Sequence, residues 1–120
     1  MFDADFYETA KGNSEVKDFL RDLNLRAKAG DKNAVALLDS ILYTVARVRE
    51  EGPQVGLPHT RPLRNGMWEL RPSKYRIPYF LWRKKLLLLT VFRKSTGPTP
   101  MHELDRAEER MKDWLKRKGK

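Results

Sequence analysis

Three strand-like segments in close succession, at residues 67–71, 75–83 and 86–92, constrain this chain more than any other feature. In the first, Trp68 and Leu70 alternate with Glu69 and Arg71, so one face is apolar and the other charged. The second is rich in aromatic residues and the third is nearly all apolar, with Leu86, Leu87, Leu88 and Leu89 in a row. The turns between them, Pro72-Ser73-Lys74 and Arg83-Lys84-Lys85, are short enough only for antiparallel hairpins. A three-stranded antiparallel meander is therefore expected. Pro78 interrupts it, because proline donates no ladder hydrogen bond, and predicts an edge position or a bulge.

The flanking segments carry helical spacing. Phe2 to Thr9 is read as a short first strand, broken by Gly12 and Asn13. Ser14 is a good N-cap, and Val16, Phe19, Leu20 and Leu23 follow at helical intervals, giving a helix over residues 14–25. Asp31 caps a second, with Val35, Leu38, Leu42 and Val45 on one stripe, ending near Gly52-Pro53. Two helices joined by a short loop pair as an antiparallel hairpin. Residues 53–66, punctuated by Pro53, Gly56, Pro58, Pro62 and Gly66, read as loop. Thr99-Pro100 reads as N-cap and first helical position of a final helix carrying Leu104, Ala107, Met111 and Trp114 to about Lys118. Strand, two helices, three strands and a helix make an α+β chain with an antiparallel sheet. At 120 residues one domain, 1–120, is expected.

The absence of cysteine excludes disulfides and thiolate metal sites, and two histidines far apart make no metal site; no cofactor is expected. No apolar run approaches the ~18 residues of a membrane span, and the first residues lack a signal-peptide layout, so a cytoplasmic location is expected. The charge is lopsided. Residues 1–60 carry 8 basic and 10 acidic groups, whereas residues 61–120 carry 17 basic and 6 acidic. Such concentration points to a surface facing a polyanion, nucleic acid above all.

Gly66-Met67-Trp68-Glu69-Leu70-Arg71, then Tyr75-Arg76-Ile77, then Phe92-Arg93-Lys94-Ser95-Thr96 resemble in order the HigB-like branch of the RelE/ParE toxin superfamily. Thr99-Pro100-Met101-His102-Glu103-Leu104, with Ala107 after it, resembles the start of that branch's last helix, and Phe6-Tyr7-Glu8-Thr9 and Phe19-Leu20 resemble its opening. The likeness runs through nearly the whole chain, though only residues 61–107 are distinctive. It departs at Pro78, where the branch has an ordinary strand residue, at the Arg83-Lys84-Lys85 turn, which lacks the common Gly or Asp, and at Arg93. The resemblance implies a compact RelE-like fold and the toxin of a type II toxin–antitoxin system. It further implies an endoribonuclease that cleaves messenger RNA on the ribosome and is blocked by a helix-turn-helix, HigA-like antitoxin. Composition and periodicity establish none of this.

RNA cleavage by internal transesterification needs a base for the 2′-hydroxyl, positive charge around the phosphorane and an acid for the 5′-oxygen. Arg71 and Arg76 flank a short turn; paired across a hairpin closing on residues 72–75, they share a face with Glu69. Two facing guanidiniums repel, and a phosphate between them removes the penalty. Arg93 and Lys94 end the third strand, where they reach over the sheet edge. Arg71, Arg76, Arg93, Lys94 and Glu69 are thus the catalytic candidates, with Glu69 either a general base or a support for Arg71. Arg61, Arg64 and Lys74 are candidates for gripping flanking phosphates. His59 and His102 have a suitable pKa for proton transfer, yet lone surface histidines are more often incidental. Trp68, Tyr79, Trp82 and Trp114 alternate with charges; Trp68 and Trp114 fit the core, while Tyr79 and Trp82 fit either the core or base stacking. Two alternatives share these features: a ParE-like gyrase inhibitor, disfavoured by the basic cluster, and a non-catalytic nucleic-acid-binding module of phage origin.

Overall fold

The computed structural model describes residues 1–120. Two of the three predicted N-caps form. Ser14 Oγ accepts from the Lys17 amide ahead of α1 (Glu15–Lys28), and Asp31 accepts from the Ala34 amide ahead of α2 (Lys32–Glu51). Each cap satisfies an amide that the first turn leaves without a partner. Val16 and Leu23 of α1 meet Ala34, Ile41 and Val48 of α2 in one buried cluster, so the helical hairpin is present.

Six strands make the sheet: β1 (Asp3–Phe6), β2 (Thr60–Pro62), β3 (Met67–Leu70), β4 (Tyr75–Trp82), β5 (Lys85–Leu88) and β6 (Phe92–Arg93). The order is β1-β5-β4-β3-β2, with β6 pairing β4 beyond the end of β5. The β3–β4–β5 meander is antiparallel as expected, and β1 joins parallel to β5, Asp3 opposite Lys85 and Phe6 opposite Leu88. The helical hairpin covers one face through Leu70, Ile77, Tyr79, Leu86 and Leu88. The last helix, α3 (Met101–Lys118), covers the other through Ala107, Met111 and Trp114, packed on Met67, Phe80, Leu87 and Leu89. A strand covered on both faces reads as an unbroken apolar run, which accounts for the four consecutive leucines. The result is an α+β architecture with an N-terminal strand and helical hairpin, an antiparallel meander and a C-terminal helix.

Two expectations need correction. Residues 60–62 are not loop; they form β2, opposite Leu70, Glu69 and Trp68. The Pro/Gly punctuation around them hides a strand too short to show periodicity. Residues 86–92 are not one strand either. Tyr79 lies opposite Leu88 and Arg76 opposite Phe92, so three residues of the outer strand (89–91) face two of β4 (77–78). That is a bulge, and it lies opposite Pro78. The Pro78 carbonyl accepts from the Leu89 amide, so the amide hydrogen that proline lacks would have pointed at the bulged segment. Pro78 therefore occupies an interior strand without interrupting a regular ladder. The bulge also reverses sidedness: Phe92 shares the face of Arg76, and Arg93 turns to the face of Tyr75.

The Arg83-Lys84 connection has positive φ at both residues, 50° and 62°, the geometry of a two-residue hairpin turn usually given to Gly or Asn. Arg83 is held there by stacking 4.4 Å from the Trp82 ring and by donating to the Lys118 carbonyl at 3.1 Å.

Tyr79 and Trp114 are core residues, Trp68 packs against the helical-hairpin cluster, and the partly buried Trp82 donates to the Gly119 carbonyl at 2.7 Å and packs edge-on to Trp114. Tyr79 and Trp114 offer no open stacking face, and Arg83 stacks on the Trp82 ring. Burial pushes the Tyr79 hydroxyl up to about 12, with the Thr60 hydroxyl at 2.9 Å pulling the other way. The unfolded tyrosine ionises near ~10, so stability is complete below that pH and is lost as pH rises towards 12. Tyr7, raised by burial and by Asp113, adds to the same trend. In urea melts between pH 9 and 12, Tyr79→Phe is expected to flatten the alkaline loss of stability.

Candidate functional site: a cationic cleft at the sheet end

Register places the site. Arg61 lies opposite Glu69 across β2–β3, and the β3–β4 pairing of Leu70 with Ile77 continues to set Arg71 opposite Arg76. Alternation then puts Arg61, Glu69, Arg71 and Arg76 on one face, at the end of the sheet that α3 leaves uncovered. The segment from Phe92 to Pro100 wraps this end and closes a cleft of about 400 Å³. Six of its thirteen lining residues are cationic: Arg61, Arg71, Lys74, Arg76, Arg93 and Lys94. None is acidic.

Glu69 forms the floor and is completely buried. Its Oε2 accepts from Arg61 Nε at 2.9 Å and from Arg71 Nη1 at 2.6 Å, and its Oε1 accepts from the Thr99 hydroxyl at 3.1 Å. Thr99 was expected to cap α3; instead Pro100 occupies the cap position without a side-chain bond, and the Thr99 hydroxyl is turned to the floor. A fully buried carboxylate with both oxygens engaged holds Arg61 and Arg71 in place.

Arg76 is the outlier. Only 8% of it is exposed, and its guanidinium meets no carboxylate: Nη1 donates to the backbone carbonyls of Tyr75 at 2.7 Å and Ser73 at 3.1 Å. Burial depresses its pKa, the Arg71 charge depresses it further, and Glu69 offsets this only in part. An arginine remains protonated regardless. The protein therefore holds a desolvated cation beside two others with a single carboxylate among them. An unmatched buried charge costs several kcal/mol in general terms. Such a deficit is what an anionic ligand relieves.

Seven of the eight residues singled out on sequence are thus brought together, counting Glu69 as the floor. Arg64 is not. Its Nε donates to Glu108 Oε1 at 2.7 Å and its Nη2 pairs with Asp105, fastening the β2–β3 turn to α3 outside the cleft. Arg64→Ala is expected to lower the melting temperature while leaving affinity for inorganic phosphate unchanged. His59 packs edge-on to Tyr43 of α2, 5.8 Å between ring centres, and His102 is an exposed residue of the first turn of α3; neither lines the cleft. Phe92, missed as a site residue on sequence, is the one aromatic side chain in the lining. No group of three His, Cys, Asp or Glu side chains comes together as a possible metal site, and no helix is long and apolar enough to cross a membrane.

The family model described as "Phage derived protein Gp49-like" matches residues 18–112. No curated protein matches significantly. Among solved structures, chains of two YoeB–YefM complexes from Staphylococcus aureus superpose, one described as a heterotetrameric toxin–antitoxin complex. Each has a TM-score of 0.50 at 11% identity, covering 77% of this chain and 98% of the other. At that identity the likeness carries the fold alone.

Proposed function

The chain belongs to the phage-derived Gp49-like family, and on that premise we propose that it is the toxin of a type II toxin–antitoxin system. Its activity in this reading is an endoribonuclease cut in messenger RNA on the ribosome, and a HigA-like helix-turn-helix antitoxin covers the cleft. The motifs at residues 66–71, 75–77 and 92–96 favour the HigB-like branch of the RelE/ParE superfamily. The observation that carries the reading is Arg76, a buried guanidinium without a carboxylate, in a cleft of six cations.

The chemistry follows from what each group can do. Arg71 and Arg76 take the non-bridging oxygens of the scissile phosphate, and charge growing on the phosphorane strengthens both contacts in the transition state. The 2′-oxygen attacks phosphorus as its proton passes to water, and the bond to the 5′-oxygen breaks. Lys94, exposed just beyond β6, gives its proton to that leaving oxygen and regains one from solvent. The products are a 2′,3′-cyclic phosphate and a 5′-hydroxyl. Arg93, Lys74 and Arg61 grip adjacent phosphates, and the Phe92 ring stacks on a neighbouring base.

If all six cations engage phosphates, log affinity for single-stranded RNA falls against log salt with a slope of about −4. Each Lys or Arg truncation in the cleft is expected to reduce that slope by about 0.7. A filter-binding titration between 50 and 200 mM salt (roughly the range over which such contacts are felt) measures both.

A second reading, a phosphate-gripping module without turnover, is favoured by the engagement of both Glu69 oxygens, which leaves no carboxylate base in the cleft. Purified protein added to a translating ribosome–mRNA mixture decides between them. New 5′-hydroxyl ends support the nuclease; binding without new ends supports the module.

A further inference from the structure

A second concavity of about 420 Å³ lies on the hairpin face of the sheet, between α1, α2 and the β3–β4 turn. Its apolar floor includes Leu23, Ala34, Leu37 and Tyr75, and Asn33 and Ser73 stand among its polar lining. Five of its ten lining residues are hydrophobic, against one of thirteen in the cationic cleft. Two side chains, Lys74 and Arg93, line both. The bulge opposite Pro78 makes that sharing possible. It turns Arg93 to the Tyr75 face, whereas Phe92 stays on the Arg76 face, so the charged wall continues around the sheet end from one concavity to the next.

We infer that this groove is a nucleobase subsite, which receives the base of a nucleotide flanking the scissile phosphate while Lys74 and Arg93 hold the phosphate linking the two. This rests on the phosphate-binding reading of the cleft and extends it. The chemistry of the two hollows is complementary. The cleft has six cations and no acid in its lining and suits a phosphate. The groove combines flat apolar surface with an amide and a hydroxyl, which suits a base face and its donor–acceptor edge. Tyr75 is fixed for such a contact, its ring packed 5.4 Å from that of Phe19. The groove's third cation, Arg26, is taken up by Asp22 at 3.1 Å, so the charge available at the rim is the pair shared with the cleft. A single strand bent over the sheet end would meet phosphate ligands in the middle and an apolar seat on each side, Phe92 on one and the groove on the other.

The test uses three probes that cannot be cut: inorganic phosphate, a deoxymononucleotide and a deoxytrinucleotide. Ala36, an exposed residue of α2 that lines the groove, is replaced by tryptophan to fill it. Ala36→Trp is expected to lose about tenfold in affinity for the trinucleotide, the scale of one lost base contact, while binding phosphate as the wild type does. Asn33→Ala is expected to show a smaller loss of the same kind. Unchanged trinucleotide affinity in Ala36→Trp overturns the groove assignment and leaves the cleft reading standing. A wild type that binds none of the three probes overturns both.

Discussion

Arg76→Ala is expected to lower RNA cleavage by about 10²–10³-fold, the scale for removing one donor aimed at developing charge, and yet to leave the melting temperature unchanged or raise it. The two halves of this result have one cause. The folded protein keeps a desolvated guanidinium without a counter-ion, facing Arg71 and Arg61. Its two carbonyl bonds do not neutralise it. Truncation removes a repulsive charge and reopens two turn carbonyls to water, so little stability is lost. An arginine retained for packing gives the reverse pattern, with a lower melting temperature and intact activity. Saturating phosphate or sulfate is expected to stabilise the wild type, because a ligand that binds only the folded state adds stability by mass action. In Arg76→Ala most of that gain disappears.

Glu69→Ala is expected to be the most destabilising single change in the site, costing about 3–5 kcal/mol. Glu69 is completely buried and is the ion-pair partner of both Arg61 and Arg71. Without it, three guanidiniums share one end of the sheet and the Thr99 hydroxyl loses its acceptor. A thermal melt in low-salt buffer reads the effect as a fall of more than 10 °C, at about 4 °C per kcal/mol for a domain of this size. Added sulfate is expected to recover part of it. A general base would behave otherwise, its removal costing rate with a small change in melting temperature.

How much of this the sequence disclosed depends on the range of the interaction involved. Ser14 and Asp31 cap the helices they were expected to cap, because capping is settled within three residues. The Arg71–Arg76 juxtaposition was legible because a short turn between strands fixes register. Features set by distant partners were not. Thr99-Pro100 reads locally as a cap, but the hydroxyl is claimed by Glu69, thirty residues away in sequence. Arg64 reads as a loop cation, but Asp105 and Glu108 of α3 claim it. Phe92 was hidden by the bulge: periodicity through residues 86–92 assigns it to the helical-hairpin face, and one extra residue moves it into the cleft. Pro78 was the available signal, since a proline opposite an apolar run marks the place where that run breaks register.

The central claim is that the cleft cuts RNA through Arg71 and Arg76. Its most direct test is to induce the protein in bacterial cells without antitoxin and to map newly formed 5′-hydroxyl ends across messenger RNA. The double variant Arg71→Ala plus Arg76→Ala, shown to be folded by its melting curve, serves as the comparison. The account predicts growth arrest with new ends in coding regions for the wild type, and neither in the variant. Growth arrest with intact messenger RNA and altered DNA supercoiling, or new ends that persist in the variant, would contradict it.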